Sequence, residues 1–274
     1  MMRQTLLRRS VRTLTLVLLL VFCLLPILWL VLTSFKTRLQ IFASPPLIFF
    51  TPSFESWAKM VRPGPIRAAL LNSLATASYT TAVTMVSATL AAYAFSRMRF
   101  RGSAFLLFAL LATRLLPPIN SLVVLFLLFT RIRLVDTISG LVILYAALLV
   151  PIAVWLLKTA FDAVPQDIEE AAFTDGCGRL GALARITLPL AAPGLAVTAI
   201  LVFVLSWNEF MFAYIFTSTR ATTVPVLLAQ AVGEYGIEWA DLTAQATILL
   251  VPVFFVTVLA QRHLIHGLSA GAVK

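Results

Sequence analysis

Six stretches of about twenty residues carry almost no charge, and they restrict this chain to very few folds. They are residues 13–32, 73–95, 104–130, 137–157, 191–216 and 242–261. About twenty apolar residues in a helix cross the hydrocarbon of a bilayer. Within lipid every backbone polar group must find its partner inside the structure, which helices achieve segment by segment. The sequence therefore predicts an all-α, polytopic membrane helical bundle with six transmembrane helices. Pro26 lies within the first run, and the second is rich in Ala, Thr and Ser, residues that let helices approach closely in lipid. Two runs are interrupted, the third by Arg114 and Pro117-Pro118 and the fifth by Asn208 and Glu209. The first run is longer than the apolar region of a cleaved signal peptide and ends in Thr-Ser-Phe-Lys, so it reads as a retained helix.

Composition agrees with this reading and excludes several functions. The 274 residues are 61% hydrophobic and 12% charged, against roughly 25% charged in a soluble domain. The net charge of +10 comes from basic residues in the gaps between apolar runs. That distribution orients membrane proteins and offers no basic face with interleaved aromatics for nucleic acid. Cys23 and Cys177 stand alone, and the two histidines, His263 and His266, lie near the end of the sequence, so no metal site and no cofactor is expected. No GxxxxGK[ST] phosphate cradle is present. Paired carboxylates and a nucleophile elbow are also lacking, so the chain is not expected to be an enzyme.

The basic residues set the topology. With the N-terminus inside, twelve of the 21 lysines and arginines fall on the cytoplasmic side, eight outside, and Arg114 within a span. The clusters Arg3, Arg8, Arg9, Arg12 and Arg97, Arg99, Arg101 weigh most. Both termini are then cytoplasmic. Residues 34–71 become a proline-bearing external segment, which favours extended or turn structure. Residues 217–241 become a second external segment.

The cytoplasmic loop after the fourth run is the most informative stretch. Residues 164–176 read Val-Pro-Gln-Asp-Ile-Glu-Glu-Ala-Ala-Phe-Thr-Asp-Gly. Asp167 with Glu170 three residues on has capping-box spacing, and Gly176 is a natural helix stop. The spacing predicts a two-turn helix with Ile168, Ala171 and Ala172 on its less polar side. So short a helix is marginal alone, so it needs a surface to dock on. The residues by themselves leave two surfaces open, the membrane interface or a partner protein. A second segment, 179–187, leads through Leu188-Pro189 into the fifth run.

Glu170-Ala171-Ala172, then Asp175-Gly176, then Ile186, Leu188 and Pro189, with Pro193 beyond, resemble the EAA loop of binding-protein-dependent ABC importer permeases. Cys177 stands where alanine is more usual. Three further stretches resemble the carbohydrate branch, the maltose-type second permease subunit. They are Ser34-Phe35-Lys36-Thr37 with Pro45-Pro46, Ala92-Tyr93-Ala94-Phe95-Ser96-Arg97, and the ending from Gly267 to Lys274.

The resemblance implies a type I ABC importer permease fold, similar to that of methionine-importer permeases. Residues 1–71 would form an N-terminal helix and external segment, and 72–262 the transmembrane domain with its EAA loop at 164–190. Residues 263–274 would form a cytoplasmic tail, which in related permeases can approach the ATPase. Glu169, Glu170, Ala171, Ala172, Asp175, Gly176, Ile186, Leu188 and Pro189 would couple to the ATPase. The implied partners are a cytoplasmic ABC ATPase dimer, a second related permease and an extracytoplasmic solute-binding protein, with membrane lipid around the spans. The implied location is a bacterial or archaeal cytoplasmic (inner) membrane. The implied solute is a carbohydrate or related polyol, moved by alternating access.

Polar groups inside spans are costly and mark functional sites or internal partners. Arg114 lies on the order of 15 Å into the third span at 1.5 Å per residue. Trp207, Asn208 and Glu209 offer an indole, an amide and a carboxylate, groups able to stack on a sugar and bond its hydroxyls. Both readings stay open for them, a translocation pathway or polar partners within the bundle or a sister subunit. The alternative to the ABC reading is a secondary transporter driven by an ion gradient. Such proteins carry internal repeats with matching broken helices, and no repeat is visible here.

Overall fold

The computed structural model describes residues 2–98, 100–115, 117–233 and 236–270. Arg99 and the last four residues of the terminal stretch therefore lie outside the described residues, as do the side chains of His263 and His266. In chain order the helices are α1 (Met2–Thr33), α2 (Arg38–Ile41), α3 (Glu55–Val61), α4 (Pro65–Arg97), α5 (Ser103–Ala112), α6 (Leu122–Arg131) and α7 (Ile138–Asp162). They continue as α8 (Gln166–Thr174), α9 (Arg179–Ala182), α10 (Leu188–Leu190), α11 (Ala192–Trp207), α12 (Met211–Phe216), α13 (Val224–Gln230) and α14 (Trp239–Ala270). A two-residue antiparallel ladder, β1 (Val232–Gly233) with β2 (Gly236–Ile237), precedes α14.

Among the described residues each of the six apolar runs is mainly helical, with breaks at Pro117 in the third and at residues 208–210 in the fifth. By length and apolarity, Val11–Thr33 and Ile138–Asp162 qualify as continuous spans. Two bent pairs are apolar enough together to be a broken span or a re-entrant loop: Ser103–Leu115 with Ile119–Arg131 at 87°, and Arg179–Leu190 with Ala192–Trp207 at 83°. The second run lies in α4, which is 33 residues long but diluted by Ala, Thr and Ser. The sixth lies in α14, whose helix continues to Ala270.

The chain forms two compact units. The first holds residues 1–67 and 227–251. Here residues 16–29 of α1 are all apolar and all exposed, as a lipid-facing helix must be. Its end is closed by hydroxyls, Thr33 Oγ1 donating to the Trp29 carbonyl at 2.7 Å and Ser34 Oγ to that of Val31 at 2.6 Å. Lys36 is buried; it donates to the Leu47 carbonyl at 2.7 Å and lies 4.5 Å from the Trp29 ring centre and 5.0 Å from that of Phe50. A desolvated ammonium over two aromatic faces is a strong cation–π arrangement.

The segment after α1 is more ordered than its prolines imply, because local caps fold it. Thr37 and Gln40 form a reciprocal capping box on α2, and Trp57 stacks on Phe35 with ring centres 5.3 Å apart. Lys59 Nζ sits 2.9 Å from Asp241 Oδ2 in the first turn of α14. That hydrogen bond raises the Lys59 pKa, against a smaller opposing effect of burial.

The second unit holds residues 68–226 and 252–274. Its centre is α7, which serves two cores. One joins Ala88, Ala92 and Tyr93 of α4 to Leu149, Ala153, Leu157 and Phe161 of α7, with Leu183 and Val202. The other joins Leu122 and Phe129 of α6 to Leu141 and Tyr145 of α7 and to Phe212 and Phe216 of α12. Thr137 caps α7, its Oγ1 accepting the Gly140 amide at 3.0 Å. Gly140 is required there, since a Cβ would collide with the Leu134 carbonyl.

A carboxylate pins the loop after α12. Asp136, at φ 57°, accepts the backbone N–H groups of Ser218 at 3.1 Å and Ala221 at 3.0 Å, together with those of Thr219 and Arg220. Burial alone would raise the Asp136 pKa, but the amides of Ala221, Ser218 and Arg220 outweigh it and hold the carboxyl well below the usual range. Asn72 holds the same loop, donating to the carbonyls of Arg220 at 2.9 Å and Thr222 at 3.0 Å.

Candidate functional site

The predicted two-turn helix is α8, and its stop is as expected. Gly176 has φ +85°, with the Cys177 amide on the Ala172 carbonyl at 2.9 Å and the Gly176 amide on that of Phe173 at 3.1 Å. That pair of bonds is a Schellman motif. The start differs from the capping-box expectation. Pro165 occupies the N-cap, no side chain caps the helix, and Asp167 falls in its first turn. The fixed φ of Pro165 pre-sets the turn out of α7, which moves the boundary ahead of Asp167.

The two adjacent glutamates part company. Glu170 is exposed, as are Ile168, Ala171, Phe173, Asp175 and Gly176, while Ala172 is half-buried. Glu169 is 2% exposed. Its Oε1 accepts Arg97 Nε at 2.8 Å and Thr187 Oγ1 at 2.7 Å, and its Oε2 accepts the Tyr93 hydroxyl at 3.1 Å. The Arg97 guanidinium also donates through Nη2 to the carbonyls of Phe161 at 2.9 Å and Val164 at 2.8 Å, and through Nη1 to Ser96 Oγ. A cation among the orphan carbonyls of the α7 terminus and a carboxylate in the first turn of α8 both complement the helix dipoles. The second segment runs from α9 through a π-helical turn, Leu183–Thr187, into α10, where Pro189 is exposed. Ile186 and Leu188 are half-buried, and Leu188 packs on the first core.

The four intramembrane candidates do not form one cluster. Arg114 lies in the 3₁₀ turn after α5 and donates Nη1 to the Leu148 carbonyl at 2.9 Å. It lines an open cavity with Thr113, Asn120 and Ser121. Glu209 caps α12 with both oxygens, accepting Phe212 N–H at 2.9 Å and Ala213 N–H at 3.1 Å. Trp207 is buried and stacks on Phe203 at 6.1 Å, while Asn208 turns back to the Val204 carbonyl at 2.8 Å.

Sequence reasoning named none of Tyr93, Arg97 or Thr187 as a site residue. Tyr93 and Arg97 sit within the 92–97 stretch read as a mark of family, with Arg97 also counted among the charges that set the topology, and Thr187 lies within the connecting segment. The available signal was an arginine closing a long apolar helix, a position that places a cation at the membrane surface beside the loop.

The family described as binding-protein-dependent transport system inner membrane component matches residues 82–269. The trehalose/maltose transport system permease protein MalG of Thermococcus litoralis is 35% identical over 277 residues, covering 100% of this chain and 99% of that protein. The trehalose transport system permease protein SugB of Mycobacterium tuberculosis is 34% identical, covering 92% and 93%. The sulfoquinovosyl glycerol permease SmoH of Agrobacterium fabrum is 33% identical, covering 91% and 88%. Among solved structures, a chain of a bacterial ABC transporter that imports alginate matches with a TM-score of 0.80 at 20% identity, covering 95% of this chain and 97% of that one. A chain of the MetNI methionine ABC transporter matches with a TM-score of 0.55 at 14% identity, covering 73% and 97%. These likenesses fix the fold as the all-α importer permease fold.

Proposed function

This chain belongs to the binding-protein-dependent transport system inner membrane component family, and from that premise we propose that it is the permease subunit of an ATP-driven carbohydrate importer. The observation that carries the reading is α8, a helix anchored on its inner side and open on its outer side. Glu169 ties it to the bundle, while Ile168, Phe173 and the nearby Leu180 stay 41–72% exposed. Exposed apolar side chains on a short helix in a charged cytoplasmic loop are what a docked partner would cover. A cytoplasmic ABC ATPase dimer occupies it, and closure of that dimer on ATP moves α8 and with it the spans. The pathway then turns from facing inward to facing outward, where a solute-binding protein delivers its cargo.

The solute class rests on the relatives, which are named for trehalose, maltose and sulfoquinovosyl glycerol transport. A second, related permease completes the pathway, and both termini of this chain face the cytoplasm. Arg114, beside Thr113, Asn120 and Ser121, is the best placed of the four intramembrane candidates to meet a hydroxylated solute. Glu209 and Asn208 hold the break between α11 and α12.

The test is to purify the tagged chain from its native cells in mild detergent and identify what accompanies it. A stoichiometric ATPase and a second permease, with the ATPase lost in Glu170→Lys, are expected. A lone chain that moves sugar in liposomes under an ion gradient would overturn the reading.

A further inference from the structure

We propose that Arg97 is a positioning residue that makes the docking helix move with three spans at once. This rests on reading α8 as the ATPase-docking element, and it adds where the motion goes. Arg97 is the last residue of α4. From there its side chain reaches Glu169 on α8 and the Phe161 and Val164 carbonyls where α7 ends. Glu169 in turn accepts Thr187 in the turn that leads to α11, and Tyr93 one helical turn back on α4. Two side chains thus join α8 to the ends of α4 and α7 and to the turn that leads, through the 83° bend, into α11.

The joint is stiff for a physical reason. The side chains of Arg97 and Glu169 are 8% and 3% exposed, so the pair is largely desolvated and a lost contact is costly. The guanidinium fork is planar, and its directions are fixed by the atoms that it already serves. A lysine at 97 would keep the charge but not the planar fork, so it could not span Glu169 and both carbonyls in the same geometry. The connection from α7 to α8 is only Ala163, Val164 and Pro165, and Arg97 bridges it directly. A push on the outer face of α8 is therefore delivered to the ends of α4 and α7 and to the turn before α11, and is not absorbed by bending of the short connection from α7.

The experiment uses the whole complex in proteoliposomes, with the solute-binding protein from the same cells as the probe. Its stimulation of ATP hydrolysis must pass from the outer face through the spans to the ATPase. In Arg97→Lys the ATPase is expected to co-purify, because the exposed face of α8 is unchanged. The stimulation factor should fall by about tenfold, within the range of coupling between distant sites. Thr187→Val should lower the same factor, and Thr187→Ser, which keeps the hydroxyl, should restore it. A merely structural pair would lower yield and unstimulated hydrolysis together and leave the ratio alone. Full stimulation in both Arg97→Lys and Thr187→Val would overturn the proposal, as would loss of the ATPase from Arg97→Lys. If the wild-type chain brings down no ATPase, the docking reading itself fails, a result that neither variant can mimic.

Discussion

Glu169 and Glu170 are consecutive, yet Glu169 Oε1 lies 2.8 Å from buried Arg97 Nε while Glu170 faces out of the protein. Their substitutions should therefore fail in different ways. Glu169→Ala leaves Arg97 as an uncompensated buried cation, a loss of about 3–5 kcal/mol. It should lower the yield of folded protein and its melting point in detergent. The Glu170 side chain has no polar partner among the described residues, so the melting point of Glu170→Lys should stay within about 0.5 kcal/mol of wild type, as for most surface changes, while ATPase association disappears. Equal melting points for Glu169→Ala and wild type would contradict the anchoring role.

Two glycines should separate backbone strain from collision. At Gly176 an added Cβ meets nothing within 4 Å, but φ is +85°. Gly176→Ala should therefore cost only about 1–2 kcal/mol, the penalty of the left-handed conformation. Gly140 lies inside α7, where an added Cβ would collide with the Leu134 carbonyl backbone. Gly140→Ala should cost more, and the order of the two melting points is the check.

Much of this architecture is legible in the residues alone, because lipid permits so few backbones. The six apolar runs, the breaks at Pro117-Pro118 and Asn208-Glu209, and the stop at Gly176 each follow from a local rule. The start of α8 does not, since Pro165 fixed the boundary before the capping spacing of Asp167 could. Nor does the division of labour between Glu169 and Glu170, because a shift of one residue is a turn of about 100° on a helix. Which of them points inward depends on where α4 ends. Arg97 lies 72 residues from Glu169 in sequence, and no periodicity in either segment announces that meeting.

The Asp136 latch gives stability a pH dependence outside the membrane. Its carboxyl has a lowered folded pKa, held there by the amides of residues 218–221 despite its burial. The contribution is therefore complete above the unfolded value, about 3.9, and is lost as pH falls through the folded value. Asp136→Asn should melt below wild type at pH 7, and the gap should narrow as pH drops below about 4. A gap that widened on acidification would mean that the carboxylate is not what the loop amides bind.

Three threonines on successive turns of α4 carry the reverse expectation. The Oγ1 atoms of Thr76, Thr80 and Thr84 are buried and have no hydrogen-bond partner among the described residues. Each hydroxyl has left water without a replacement, and a buried unsatisfied donor costs about 1–3 kcal/mol. Valine has nearly the same shape and no hydroxyl to satisfy. Thr80→Val should therefore leave the melting point unchanged or raise it by the equivalent of about 1 kcal/mol. Thermal unfolding of the purified chain in detergent, read by loss of monomer on size exclusion, measures this directly. A drop in the melting point would show that the Thr80 hydroxyl has a stabilising partner in the folded chain, and the same substitution at Thr76 and Thr84 would show how far along α4 that partner extends.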